Sequence, residues 1–448
     1  MNTPTIPPLQ DAPRLTQDQK DAIKFLNSFY ALHKEKDEPR EAVLCGYAGT
    51  GKTWLVGNWL TDLLFDHPSL DVCIAAPTHK ALDVLRSKCG HLPVAFMTLN
   101  ALLGVSIRKN DEGDVLSERY DAENKFGLVV VDEASMVNAE FRGLLGVQVG
   151  AGRLGCVVYV GDPAQLPPVK EDISLVFKID NMITLEEIVR YDGAIIKVAT
   201  YLREKITSEE PFNLFEINEL CSDPVDRSVS FIPRDGIYKW AERAFHKQLD
   251  ARIVSWTNAA VAKHNKVLHD VLYPGTPFFG VGERVLCNDS YTIRKPEEGK
   301  RATSDDGLYN GEILTVVSCT PSTPIRGVVV YEVEATKASG TVINVLVTPN
   351  ETLRLAEHTR LNEEIYGLRN YRSNLAEATR RTELVAIRKA IGRLCPLQHS
   401  YASTVHKAQG STYQICIVDF SDLYRSEDKA RLMYVATTRP SQFLAYAR

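Results

Sequence analysis

The stretch GYAGTGKTW (46–54) constrains this chain more than any other. It fits the pattern G-x-x-x-x-G-K-[ST], with Gly46, Gly51, Lys52 and Thr53 in the fixed places. The apolar run Val43, Leu44 and Cys45 precedes it, and TWLVGNWL continues as a helix. A buried strand that turns through glycines into a helix is the opening unit of a parallel α/β sheet. The glycines let backbone N–H groups turn toward a phosphate chain, and the helix adds its positive N-terminal end. Gly46, Gly49, Thr50 and Gly51 therefore read as a phosphate cradle. Lys52 reaches the β- and γ-phosphates, and Thr53 holds Mg²⁺. The alternative is a chance glycine-rich turn, against which the strand-before, helix-after context argues.

FGLVVVDEASM (126–136) supplies a second half for such a site. Its apolar run is typical of a central parallel strand, and Asp132 and Glu133 fall at the carboxyl end, where open α/β sheets bind ligands. Asp132 suits the Mg²⁺ shell, and Glu133 suits orientation and deprotonation of an attacking water. Taken alone, the pair also reads as a solvated strand end. DVCIAAPTHKA (71–81) and CVVYVGDPAQLPPV (156–169) repeat the logic, the second turning through Gly161 and Asp162.

The length of 448 residues predicts two to four domains, and 44% hydrophobic with 24% charged residues is ordinary for a globular protein. No apolar run approaches the ~18 residues of a membrane span. Residues 1–14 are Pro-rich, have no secretion-signal pattern, and read as a disordered lead. The nine cysteines include no C-x-x-C pair, which argues against zinc and disulfide frameworks and suits a reducing cytoplasm. A net charge of −5 does not favour nucleic acid, but a locally basic groove does not require a basic chain.

Further motifs carry a resemblance. LTQDQ (15–19) resembles an adenine-reading Q motif, and APTHKA (76–81) resembles motif Ia of superfamily 1 helicases. GDPAQLPPV (161–169) resembles their motif III, STVHKAQGST (403–412) their motif V in the form of the RecD/Dda branch, and LMYVATTRP (432–440) their motif VI. RIVSWTNAAVAKHN (252–265) resembles the first strand and helix of a second motor domain. The matches run in family order from about residue 15 to the last residues, and length and motif spacing are most similar to the phage Dda helicase.

This resemblance implies an ATP-dependent, Mg²⁺-requiring DNA helicase that moves 5′ to 3′ on single-stranded DNA and separates forked duplex. ATP would bind in a cleft between two RecA-like domains. Gln19 would read adenine and Gln165 would sense the γ-phosphate. Arg190, in LEEIVR, and Arg439, in TTRP, would neutralise charge on the transferring phosphoryl group, and Gly410 would face the nucleotide. Thr78, His79, Thr98, Thr257, Asn258, Thr404, His406 and Lys407 would contact DNA phosphates without reading sequence. Each of these also reads, alone, as an ordinary strand-end polar residue or surface arginine. The resemblance further implies a monomer in the cytoplasm (a host's, if viral). It points to replication, recombination or repair, with a single-stranded-DNA-binding protein or replisome as partners.

The expected fold is α/β, with a first RecA-like parallel-sheet domain over 15–203 and a second over 204–274 and 396–448. The segment 105–125 alternates apolar and polar residues around the turn NDEGD and reads as a hairpin within 104–122, where the family carries a strand-separating pin. Residues 275–395 are an insertion. Short strands predict a small β-barrel over 281–350, and a proline-free helical pattern follows over 351–395. That helical segment has nine Lys and Arg against six Asp and Glu, and resembles the tower of the same branch. Plain surface hairpin and solvated helical arm are the alternatives for the two insertions. Three rival functions share parts of this pattern: a DNA-stimulated translocase that strips proteins without unwinding, a P-loop kinase acting on a small molecule, and a non-catalytic clamp.

Overall fold

The computed structural model describes residues 15–36, 41–109, 115–119, 124–188, 193–221, 226–293, 307–368 and 375–448, with the backbone alone at 35–36, 106–109 and 115–119. It has two compact units. One contains the chain up to Ala76, Leu85–Phe96 and Asn124–Asp192; the other contains Pro77–Val84, Met97–Glu123 and Gly193–Arg448.

The glycine-rich turn leaves from a sheet of six strands, in the order Ala95–Thr98, Val72–Ala76, Phe126–Val131, Leu154–Gly161, Glu41–Gly46, Met182–Leu185. The five strands from Val72–Ala76 to Met182–Leu185 pair in parallel. Their runs of Val, Ile and Leu are buried because helices Gln17–Lys36, Lys52–Asp66 and Ala139–Gly150 pack on the sheet. Gly161 permits a close approach here: a Cβ would stand 2.9 Å from Ala134 Cβ and 3.1 Å from Phe177 Cζ.

The second sheet is also parallel, in the order Ala402–Thr404, Ala251–Ser255, Tyr413–Asp419, Pro440–Ala447, Val229–Ile232. Helices Ile237–His246 and Asn258–Leu272 cover it, with Ile253, Leu268, Ile417 and Ala445 at 0% exposure in the shared core. Helix Ala194–Thr207, expected at the end of the first domain, packs against helix Lys429–Thr437 within the second compact unit. The amphipathic repeat of 194–207 fixes a buried face and leaves open which sheet it meets.

The insertion is a five-stranded antiparallel sheet, ordered Val342–Val347, Tyr331–Lys337, Ile313–Pro321, Arg284–Cys287, Leu397–His399. Alternate residues turn inward onto a core of Phe279, Val285, Leu314, Val333 and Val345. Leu397–His399 was expected in the second motor domain; it pairs instead with Arg284–Cys287 and closes the inserted sheet. Helices Glu351–Gly367 and Leu375–Gly392 pair along Leu361, Ile365, Leu384 and Ile391. Strands Val105–Lys109 and Val115–Arg119 form an antiparallel hairpin, with Val105 opposite Arg119 and Lys109 opposite Val115.

Leu361 is 0% exposed between the two helices, so Leu361→Ala leaves a cavity worth about 2–5 kcal/mol. Hydrogen exchange should accelerate across Glu351–Gly367 and Leu375–Gly392 and stay slow in Glu41–Gly46. Equal acceleration in all three segments would show that the helical pair is not a separate cooperative unit.

Candidate nucleotide and nucleic-acid sites

Three adjacent parallel strands end side by side in the first unit. Glu41–Gly46 runs into the glycine-rich loop, Leu154–Gly161 into Asp162, and Phe126–Val131 into Asp132, with Cys45 level with Gly161 and Val131 level with Tyr159. The loop is held by its own backbone. Gly49 and Gly51 take φ of 87° and 81°, where a side chain would be strained. A Cβ on Gly46 would stand 2.8 Å from Thr50 Oγ1 and 3.1 Å from Lys52 Cγ. Thr50, fully buried, donates its hydroxyl to Tyr47 O at 2.9 Å. The Lys52 ammonium donates to Gly46 O at 2.6 Å and Tyr47 O at 3.0 Å, so the lysine neutralises the carbonyls of the loop it serves.

Gln19 is 2% exposed and bonded at both ends of its carboxamide. Its Oε1 accepts from Thr16 N at 3.2 Å, while Thr16 Oγ1 accepts from Gln19 N at 3.3 Å, a reciprocal cap on helix Gln17–Lys36. Its Nε2 donates to the buried carbonyl of Thr50 at 3.1 Å. The side chain expected to read adenine thus joins the first helix to the phosphate loop.

Glu133 follows Asp132 with φ 53° and ψ 45°, a left-handed conformation that costs a glutamate roughly 1–3 kcal/mol and that the surrounding fold must impose. The turn is fixed by Asp132 Oδ1, which accepts Glu133 N at 2.9 Å, and by Glu133 O, which accepts Met136 N at 2.9 Å. Burial raises the Asp132 carboxyl above its usual range, against the pull of the Glu133 N–H, Lys52 and Lys88. Asp162, 1% exposed, organises the next strand end: its Oδ1 accepts Ala164 N at 3.0 Å and its backbone O accepts Gln165 N at 3.2 Å. Gln165 is thereby placed, 6% exposed, on a fixed turn. Asp162 was read only as a turn residue; its carboxylate is a structural part of the site, a role an Asp before Pro in a strand-end turn can signal.

Arg439 lies in the second unit, 7% exposed. Its guanidinium donates to Val435 O at 3.0 Å, Ser411 O at 3.2 Å and Thr438 Oγ1 at 2.9 Å. Gly410, with φ 71°, turns the chain just before Ser411. Arg190 lies outside the described residues.

The eight residues expected at DNA all fall in the second unit. Thr78, Thr98, Thr257 and Thr404 share one local role. Each hydroxyl oxygen accepts a backbone N–H three residues on, from Ala81, Ala101, Ala260 and Lys407, at 3.2 to 3.3 Å. A threonine that caps in this way has spent an acceptor and keeps its O–H to donate. At Thr257 that O–H goes to Asp422 Oδ1 at 3.0 Å, while Asp422 Oδ2 accepts Trp256 N at 2.6 Å and Thr257 N at 2.7 Å. Sequence reasoning missed Asp422, which lies 165 positions from Thr257. Asn258, His79, His406 and Lys407 are exposed, the His79 ring stacking on Tyr309 at 4.9 Å and the Lys407 ammonium donating to Asn288 Oδ1. Lys80 Nζ donates to Tyr413 OH at 3.0 Å. Burial alone would raise the Tyr413 phenol, but Lys80 and Arg252 outweigh it and hold the pKa below the ordinary value.

Family models match two parts of the chain: an AAA domain over residues 15–214 and a UvrD-like helicase C-terminal domain over 399–444. An uncharacterised protein of Acanthamoeba polyphaga mimivirus is 23% identical over 472 residues, spanning 90% of this chain and 94% of the relative. An uncharacterised protein of Methanocaldococcus jannaschii is 30% identical over 137 residues, only 29% of this chain and 12% of that protein. Among solved structures, Pif1 helicase from Bacteroides in complex with ADP-AlF3 and single-stranded DNA superposes with a TM-score of 0.54 at 17% identity, covering 98% of this chain and 93% of that one. A structure of two coordinating Pif1 helicases at forked double-stranded DNA gives 0.54 at 16%, covering 97% and 92%. The two parallel sheets are therefore RecA-like domains, and the chain has the fold of Pif1 helicases, with an AAA domain in its first half and a UvrD-like helicase C-terminal domain near its end.

Proposed function

We propose that this chain hydrolyses ATP to move 5′ to 3′ along single-stranded DNA and to part the duplex at a fork, in the manner of the RecD/Dda branch. The observation that carries the reading is the juxtaposition of the phosphate loop, Asp132–Glu133 and the Asp162–Gln165 turn on three neighbouring strand ends. In this reading Lys52 leaves the carbonyls of Gly46 and Tyr47 for the β- and γ-phosphates. Loop amides around Gly49, Thr50 and Gly51 receive the rest of the chain. Thr53 and Asp132 offer one hydroxyl and one carboxylate, a donor set that fits Mg²⁺. When bound, Mg²⁺ supplies charge neutralisation at the phosphates. Glu133, its backbone already fixed, orients the attacking water and takes its proton, and Gln165 senses the γ-phosphate. Arg439 and Arg190 are the guanidiniums assigned to the charge on the transferring group; for Arg439 this means giving up three acceptors. The four capping threonines, with Asn258, His79, His406 and Lys407, form the phosphate-contacting set for DNA. A protein-stripping translocase shares every one of these features, and unwinding is what separates it from a helicase. Cellular partners, a monomeric state, a cytoplasmic location and a place in replication, recombination or repair belong to the same proposal. Among the described residues no helix is long and apolar enough to cross a membrane.

The deciding experiment measures ATP-dependent unwinding of duplexes with a 5′ or a 3′ single-stranded tail. The wild type should open the 5′-tailed substrate, and Lys52→Ala should lose ATPase and unwinding while melting normally and still binding DNA. Opening of the 3′-tailed duplex alone would overturn the polarity, and wild-type turnover in Lys52→Ala would remove the site.

Gln19→Ala separates adenine reading from loop positioning. Losing one buried hydrogen bond costs about 1 kcal/mol, so KM for ATP should rise roughly fivefold. If Gln19 positions the loop, KM for GTP rises by the same factor; a rise for ATP alone would return it to the base.

Stacking holds duplex DNA by about 1.4 kcal/mol per step, so a pulling motor needs a rigid obstacle. The hairpin carrying Val105, Ile107, Val115 and Leu116 is proposed as that obstacle. Replacing 107–115 by a short Gly-Ser turn should leave DNA-stimulated ATPase intact and sharply lower unwinding. Unwinding at the wild-type rate in a normally melting variant would assign strand separation elsewhere.

A further inference from the structure

The chain crosses between the second sheet and the inserted sheet twice, and the two crossings meet at one buried cluster. His269 lies near the end of helix Asn258–Leu272, Glu283 immediately before strand Arg284–Cys287, and His399 at the end of strand Leu397–His399. His269 and Glu283 are 4% and 1% exposed. His269 Nδ1 stands 3.3 Å from Glu283 Oε2, and His399 Nδ1 stands 2.6 Å from Glu283 Oε1. One ligand atom from each residue lies within 4.8 Å of the other two.

The hydrogen bonds around the cluster leave one nitrogen without a role. His269 Nε2 lies 3.2 Å from the carbonyl of Thr276, a contact that needs its proton on Nε2. Nδ1 then points a lone pair at a carboxylate, and it is buried without a hydrogen-bond partner. At 3.3 Å that contact is attractive only when a positive charge, either a second proton on the imidazole or a metal ion, stands between nitrogen and carboxylate. Tyr401, two residues beyond His399, adds a buried hydroxyl oxygen without a hydrogen-bond partner. Gly280 N donates to Glu283 Oε2 at 2.8 Å, which fixes the carboxylate as outer contacts fix metal ligands. Tyr273 stacks on the His269 ring, and Phe278 and Phe279 meet the His399 ring edge-on.

We propose that His269, Glu283 and His399 bind one divalent transition-metal ion of the zinc class, a structural site that ties the helix to both strands of the crossing. Two imidazoles and a carboxylate are a zinc donor set, and the His269 Nε2–H to carbonyl bond is the usual outer contact of a metal-bound histidine. At zinc–ligand distances of about 2.0–2.1 Å, tetrahedral ligand atoms sit about 3.3 Å apart. His269 meets Glu283 Oε2 at 3.3 Å and His399 meets the other oxygen, Oε1, at 2.6 Å, so the ion draws the three ligand atoms, now within 4.8 Å of one another, to about that tetrahedral separation. The Tyr401 oxygen or a water takes the fourth position. The ion sits among aromatic rings at the crossings between the second sheet and the inserted sheet, where it braces the insertion.

The test uses the full-length, untagged protein. After exhaustive chelation, Zn²⁺ should rebind at one equivalent, Co²⁺ should produce visible d–d bands, and Zn²⁺ should raise the melting temperature. Glu283→Gln and His399→Ala should each abolish the Co²⁺ bands, with DNA-free ATPase unchanged. If a variant fails to fold, the wild-type Co²⁺ bands and stoichiometry still decide. Uptake well below one equivalent with no effect on melting would overturn the proposal and leave a cluster held by protons. Uptake that survives both variants would place the ion elsewhere and overturn it equally.

Discussion

A helix that follows a strand begins with backbone N–H groups that have no partner, and a parallel sheet gathers those beginnings along one edge. The candidate sites of this chain answer that constraint. In the first unit the turn before helix Lys52–Asp66 orients such amides through glycines at 49 and 51, both at positive φ. In the second, the same need is met by threonines, whose hydroxyls satisfy an amide and keep a proton to offer. At Thr257 the chain supplies an anion of its own, the Asp422 carboxylate, on two amides and a hydroxyl.

The site is also an account of where strain and burial are tolerated. Glu133 holds a left-handed backbone, Asp132 is lifted by burial, and Lys52 rests on carbonyls. None of these is the lowest-energy choice for an isolated segment. They persist because the strands beneath are packed on both faces and cannot yield. Arg439 repeats the pattern, with a charged group stored on backbone acceptors.

Much of this was legible in the sequence because it is local. The loop, the acidic pair and the apolar strands lie within a few residues of their own signals. What escaped is long-range. The bond from Gln19 to Thr50 spans 31 positions, that from Trp256 to Asp422 spans 166, and His399 meets Glu283 across 116. Periodicity carries no information about such partners. Leu397–His399 is too short for any alternation to show, and Pro396 before it reads as a loop. The unit boundary near residue 193 was equally hidden, since an amphipathic helix announces a buried face and not its neighbour.

The pairing of Arg284–Cys287 with Leu397–His399 has a bearing on how the chain finds its fold. In the second sheet Ile253 pairs with Ala402, 149 positions away by number, an expensive loop to close from an unfolded chain. If the inserted sheet forms first, its ends come together, and the open path from Ile253 to Ala402 shrinks to about 34 residues. The logarithmic cost of closure then falls by roughly 1.3 kcal/mol. An insertion that closes early is thus a folding staple as well as an appendage: it turns a contact across 149 positions into one across about 34.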